Sequence, residues 1–303
     1  MNFSESDNQK INIENSSISL YIKREDLLHP FISGNKFRKL KYNLIQAKKE
    51  NKDTLLTFGG AFSNHILAVA AAGNANGFKT IGLIRGEELE AKIDDNPTLK
   101  KAQDFGMNFE FISREKYREK NSFDFKEHIK EKFGDVYVIP EGGTNDLAVK
   151  GCEEILSQED EKFDYVCCSV GTGGTVSGII NCSKSSQQVL GFPALKGDFL
   201  REDIRSFVTK SNWDLVTEYH FEGYGKVSIE LIQFINEFNQ KYKIPLDPIY
   251  TGKMVFGVLD MIDKNYFPEH SKILMIHTGG LQGVDGMNKK LKQKKQLQIN
   301  IND

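Results

Sequence analysis

Apolar residues along the chain fall into short β-rich runs separated by longer stretches with helical spacing. The runs Ile18–Ile22, Thr54–Phe58, Thr80–Ile84, Asn108–Ile112, Val136–Ile139, Tyr165–Ser169, Gln188–Gly191 and Lys272–His277 predict strands. Between them, Lys36–Lys49, Asn64–Asn74, Pro97–Phe105, Asp124–Lys132, Val149–Leu156, Thr175–Ser183, Ile229–Lys241 and Met254–Asp263 predict helices. Such alternation predicts an α/β protein with parallel-type sheets flanked by helices. Two half-sheets are expected. One draws its strands from residues 54 to 112, the other from 165 to 192 plus the strand ending at His277. The strand near residue 20 fits either. Folds of this kind hold ligands at the carboxyl ends of their strands, so the glycine-rich turns there come first. At the ends, residues 1–16 predict a polar, irregular arm, and the lysine-rich 289–298 a solvated last helix turn.

Composition narrows the class. Forty basic residues against 42 acidic ones give a net charge of −2, which offers no electrostatic reason for a nucleic-acid partner. No apolar run approaches the roughly 18–20 residues of a membrane span, and the start MNFSESDNQK carries no apolar signal core. The four cysteines show no CxxC spacing and read as reduced thiols of a cytosolic protein, with no metal site.

Four turns carry candidate chemistry. Ser33-Gly34-Asn35-Lys36 opens a basic helix, and an amine near the positive end of a helix has its ammonium form disfavoured, which prepares Lys36 as a nucleophile toward a carbonyl. Gly59-Gly60-Ala61-Phe62-Ser63-Asn64-His65 follows a strand; Ser63 or Asn64 either caps the next helix or helps its N–H groups hold an anion. His65 reads as a structural histidine. Ser169-Val170-Gly171-Thr172-Gly173-Gly174-Thr175 surrounds a phosphate with N–H groups and hydroxyls, or is a structural turn. It is not a P-loop, and valine at 176 breaks the dinucleotide pattern. In His277-Thr278-Gly279-Gly280, Thr278 offers a hydroxyl to a ring nitrogen or caps a helix. Tyr224 and Tyr250, each beside glycines, are packing residues unless they share a cleft. A phosphate cup, a poised lysine and the absence of a metal cluster together suggest a phosphate-bearing aldehyde cofactor, pyridoxal phosphate.

The strings KRED (23–26), SGNKFRKLKY (33–42), GGAFSNH (59–65), SVGTGGTVSG (169–178), GYG (223–225), LDPIYTGKMVFG (246–257) and HTGG (277–280) resemble the 1-aminocyclopropane-1-carboxylate deaminase/D-cysteine desulfhydrase family. These are pyridoxal-phosphate enzymes of the tryptophan-synthase-β fold type, and the match runs from about residue 20 to 286 in family order. The resemblance implies a larger cofactor-binding domain (1–39 and 148–303), an inserted smaller α/β domain (40–147), a homodimer, and a cofactor in the cleft between domains. It implies that Lys36 carries the cofactor and acts as base, that Lys39, Thr172, Gly173, Gly174 and Thr175 hold its phosphate, and that Asn64 sits beside the 3′-oxygen. Thr278 would face the pyridine nitrogen. Ser63 would contact substrate, with Tyr224 and Tyr250 as active-site tyrosines. Members that open the cyclopropane ring usually carry glutamate after the second tyrosine and leucine in the HxGG string. Thr251 and Thr278 stand there in this chain and match the desulfhydrase type, which converts D-cysteine to pyruvate, sulfide and ammonia. Ring opening to 2-oxobutanoate and ammonia, or cofactor binding without turnover, are the alternatives. Phe62 replaces the glutamine or tyrosine of many members, a change expected in the substrate pocket.

Overall fold

A computed structural model describes residues 6–197 and 199–301. The strands are β1 (Asn8–Ile11), β2 (Ser19–Lys23), β3 (Thr54–Gly59), β4 (Lys79–Arg85), β5 (Met107–Ile112), β6 (Tyr137–Ile139), β7 (Tyr165–Val170), β8 (Gln188–Pro193), β9 (Trp213–Leu215) and β10 (Lys272–Ile276). The helices are α1 (Asn35–Lys49), α2 (Asn64–Asn76), α3 (Pro97–Asp104), α4 (Arg114–Arg118), α5 (Phe123–Phe133), α6 (Asp146–Cys152), α7 (Gly174–Cys182), α8 (Leu200–Arg205), α9 (Ile229–Tyr242), α10 (Thr251–Asp263) and α11 (Gly283–Gln293).

They build two sheets. Six strands run in the order β1-β2-β10-β7-β8-β9, and four in the order β5-β4-β3-β6. Every neighbouring pair is parallel except β1 with β2. The central strand β7 reads YVCCSV and is buried along nearly its whole length, as a parallel strand covered on both faces must be. The four-stranded sheet lies entirely inside the 40–147 interval. The strand near residue 20 joins the larger sheet, between β1 and β10. Helix α2 buries nine consecutive residues, His65–Gly73; its run of alanines lets it pack on every side.

Two expectations need correction. The polar arm is not irregular throughout: its described part contains β1, paired Asn8↔Lys23 to Ile11↔Leu20, while residues 1–5 lie outside the described residues. Only Ile11 of that strand is fully buried, too weak a pattern to read. The helix expected at Val149–Leu156 starts at Asp146, because the Asn145 side chain caps it by accepting the Ala148 N–H. The lysine-rich end is, as expected, a solvated last helix turn: residues 289–293 close α11, which begins at Gly283 and buries Val284, Met287 and Leu291. Among the described residues no helix is long and apolar enough to cross a membrane, and no group of three His, Cys, Asp or Glu is placed to hold a metal ion.

Candidate active site

The cleft forms where two turns from distant parts of the chain meet. The Gly34 backbone is left-handed (φ 57°), and the Asn35 N–H donates to the Thr278 carbonyl at 3.2 Å. A Cβ at Gly34 would lie 2.1 Å from that carbonyl oxygen, and one at Gly279 would lie 2.3 Å from Ser33 Oγ. Glycine is therefore required on both sides of the contact. Helix α1 is then locked by Arg38, whose guanidinium grips buried Glu25 with two bonds of 2.8 Å. This framework sets Lys36 and Lys39 one turn apart, both facing a cleft of about 750 Å³ including its open mouth.

Burial, with the Lys39 ammonium nearby, lowers the Lys36 amine to about 7. Its reactive neutral form is thus substantially populated at neutral pH. Reductive methylation of the cofactor-free protein should modify Lys36 with a midpoint near pH 7, the rate rising as the proton leaves. Exposed lysines follow a midpoint near ~10.4. Peptide mapping that places the Lys36 midpoint above about pH 9 would remove the poised-amine argument.

Lys39 is 2% exposed. Its ammonium donates to Gly142 O (3.0 Å), Thr144 Oγ1 (2.9 Å) and Thr172 Oγ1 (3.4 Å), and among the described residues no carboxylate pairs with it. A buried cation with neutral partners favours an anion beside it. The anion seat is at hand: β7 ends in the Gly171–Thr175 turn, Gly173 takes a positive φ (82°), and α7 starts at Gly174. Thr172, Gly173 and Thr175 line the cleft. Gly174 does not; it stands behind the cup, where a Cβ would meet Thr144 at 2.9 Å and Lys39 Nζ at 3.3 Å.

On the opposite wall, Ser63 is the N-cap residue of α2, yet its side chain makes no capping bond. The hydroxyl and the first N–H groups of α2 are thereby left for a ligand. Asn64 lines the cleft with its Oδ1 buried and without a partner among the described residues. His65 Nε2 lies 2.8 Å from Thr57 Oγ1, which itself donates to Ile139 O. Thr57 has one proton to give, and with Ile139 O receiving it, His65 donates from Nε2. Burial, then Lys36 and Lys39, hold this imidazole well below its usual range, hence neutral. The sequence gives His65 a structural role; the structure makes it part of the cleft wall as well.

Thr278 Oγ1 lies 3.1 Å from Ser169 Oγ at the cleft floor. Tyr224 and Tyr250 meet edge to face, centroids 6.1 Å apart. Burial raises both phenols, Tyr250 well above its ordinary value, so both keep their protons. Asp247 fixes Tyr250: its carboxylate accepts the N–H groups of Ile249 (2.9 Å), Tyr250 (2.8 Å) and Thr251 (2.8 Å). Sequence reading passed over Asp247, although Asp-Pro just before a helix is a capping signal. It also missed Asn35, whose amide donates to Thr175 Oγ1 at 2.8 Å. Thr251 does not reach the cleft; it is fully buried, with its hydroxyl on Asp247 at 2.6 Å. Phe62 is likewise absent from the lining. Its ring fills the notch at Gly286 of α11, and the Lys290 ammonium sits 4.9 Å from the ring centroid.

These groups fit pyridoxal phosphate. The uncompensated Lys39 ammonium beside the helix-terminal cup suits the phosphate, the unpartnered Asn64 amide suits a ring oxygen, and Lys36 suits the aldehyde. The profile of the family described as "Pyridoxal-phosphate dependent enzyme" matches residues 9–279. The chain is 31% identical to a putative 1-aminocyclopropane-1-carboxylate deaminase of Thermotoga maritima, over 92% of this chain and 94% of that one. It is also 31% identical to a bifunctional D-cysteine desulfhydrase/1-aminocyclopropane-1-carboxylate deaminase of Arabidopsis thaliana, over 88% and 73% of the two chains. A crystal structure described as an ACC deaminase homologue superposes with a TM-score of 0.80 at 28% identity, covering 96% of this chain and 94% of the other. The chain belongs to the 1-aminocyclopropane-1-carboxylate deaminase/D-cysteine desulfhydrase family of pyridoxal-phosphate enzymes, with the tryptophan-synthase-β type of fold.

Proposed function

We propose that this enzyme is a D-cysteine desulfhydrase-like lyase that converts D-cysteine, or a related β-substituted D-amino acid, with one water to pyruvate, ammonia and the β-leaving group. The observation that carries the reading is the neutral floor of the cleft. Thr278 and Ser169 face each other as hydroxyls, and among the described residues no aspartate or glutamate lines the cleft.

Pyridoxal phosphate, when bound, supplies an aldehyde that condenses with amines and a ring that draws electrons from the adjacent carbon. Lys39, Thr172, Gly173 and Thr175 hold its phosphate, and Asn64 orients its ring. Ser63 Oγ and the N-terminus of α2 bind the substrate carboxylate. Lys36 Nζ, its neutral form well populated near pH 7, removes the Cα proton. The Tyr224 and Tyr250 hydroxyls, held protonated, stand ready to give a proton to the departing thiolate. A hydroxyl partner keeps a ring nitrogen neutral, whereas a carboxylate would favour its protonation and a stronger electron sink. Elimination of a thiolate from an acidic Cα–H needs that sink less than ring opening does.

The test is a panel of D-cysteine, L-cysteine, D-serine and 1-aminocyclopropane-1-carboxylate, assayed for 2-oxoacid and ammonia. D-cysteine should show the highest kcat/KM. A clear preference for the cyclopropane would overturn the reading.

Relatives named for the deaminase keep ring opening as a second reading of the same cleft. Turnover rather than simple cofactor binding is supported by the side chains a binder has no use for: Ser63, Tyr224 and Tyr250.

A further inference from the structure

We infer that Lys253 is a positioning residue that holds the Tyr224 phenol over the cleft, opposite Tyr250. This rests on the proposed role of the two tyrosines.

Tyr224 lies in segment 216–228, between β9 and α9, which has no strand or helix of its own. The backbone there is unfavourable without support. Phe221 and Glu222 take left-handed conformations (φ 50° and 64°), followed by positive φ at Gly223 (112°) and Gly225 (70°). Non-glycine residues stay in that region only where the surroundings impose it.

Lys253 provides the constraint. It is 2% exposed, and its ammonium donates to His220 O and Gly223 O, each at 2.9 Å. The two bonds bracket the left-handed pair and end on the residue next to Tyr224. Other ties act further upstream: Tyr219 donates its hydroxyl to Asp260 at 2.6 Å, and its ring lies where a Cβ on Gly257 would come within 2.8 Å.

An amine is a poor choice here on packing grounds. Among the described residues Lys253 forms no salt bridge, and burial lowers it to about 8 against the pull of the Asp247 carboxylate. In the first turn of α10 it also opposes the helix dipole. A methionine would fill similar volume without either penalty, so the selected property is the ability to grip two carbonyls. The same helix terminus carries Tyr250, whose backbone Asp247 fixes. One end of α10 therefore anchors the backbone at both tyrosines, Tyr250 through Asp247 and the residue before Tyr224 through Lys253.

The test uses the loaded enzyme in four forms: wild type, Lys253→Met, Tyr224→Phe and the double variant. Lys253→Met should lower kcat about 10–100-fold, as expected for a misplaced catalytic group, with KM for D-cysteine and cofactor content unchanged. The double variant should be no slower than Tyr224→Phe alone. Wild-type kcat in Lys253→Met, or losses that multiply in the double variant, would overturn the inference. Lys253→Gln retains a donor, so it should fold where methionine does not and give an intermediate kcat. A second readout separates this inference from the catalytic reading. With 3-fluorotyrosine incorporated, the ¹⁹F resonance of residue 224 should shift and broaden in Lys253→Met while that of residue 250 holds. An unmoved 224 resonance refutes the positioning role. Wild-type kcat in Tyr224→Phe, with that resonance displaced in Lys253→Met, refutes only the tyrosine's catalytic part.

Discussion

Replacing Lys36 with alanine should lower kcat by about 10²–10⁴-fold, the range expected when a positioned base is removed. The loss should fall on kcat, because the groups assigned to the phosphate and the substrate carboxylate sit on other residues. Lys39 keeps its three acceptors, and Ser63 and the α2 terminus stand across the cleft. The variant should therefore still bind cofactor, though without the covalent link. Borohydride reduction of the loaded wild type, followed by peptide mapping, should place the pyridoxyl group on Lys36. A label on Lys39 or Lys253, or a Lys36→Ala enzyme retaining more than about a tenth of its activity, would show that another amine does the work. The lowering of Lys36 to about 7 explains why this amine is chosen over the many exposed lysines.

Gly174→Val should weaken cofactor binding by about 100-fold or more, a loss of roughly 2.7 kcal/mol. The reason lies behind the phosphate cup. Because Gly174 does not line the cleft, its side chain would collide with Thr144 and Lys39 Nζ, the two groups that set the buried ammonium against the loop. Overfilling a packed site displaces its neighbours. Equilibrium titration of the apo-protein with pyridoxal phosphate measures the effect, with circular dichroism as the check on folding. Gly174→Ala should lie between wild type and Gly174→Val. Wild-type affinity in a folded Gly174→Val would show that the position of Lys39 does not govern phosphate binding.

The glycine-rich turns and eight of the ten strands were legible in sequence because each is a local signal, whereas β1 and the three-residue β9 were too short and too weakly patterned. A buried run such as YVCCSV, ended by glycines, can be recognised without knowing its neighbours. What was hidden depends on distant partners or on backbone acceptors. Lys253 has the spelling of a solvated helix lysine, since carbonyls of His220 and Gly223 leave no mark in the pattern. Asp247 was concealed in the same way, because its partners are main-chain N–H groups. Phe62 invited a pocket role because many relatives of this family type carry glutamine or tyrosine there, yet adjacent residues on a turn point to different sides, and its ring leaves for α11. Gly174 shows the converse: a glycine in a phosphate-type loop can be required by what lies behind the loop.

The backbone contact between Gly34 and Thr278 has a bearing on the protein's life during synthesis. Lys36 is made early, but the turn that seats it closes only on a carbonyl that follows β10, more than two hundred positions later. Until that strand emerges and pairs with β2, the lysine has no burial to lower its basicity and no cleft to face. At translation speeds of roughly 5–20 residues per second, the nascent chain carries it as an ordinary surface amine for about ten seconds or longer. The cofactor cannot template that chain, since its phosphate seat on β7 and α7 and its lysine turn become neighbours only when the larger sheet is complete. It can stabilise only the finished fold, by mass action.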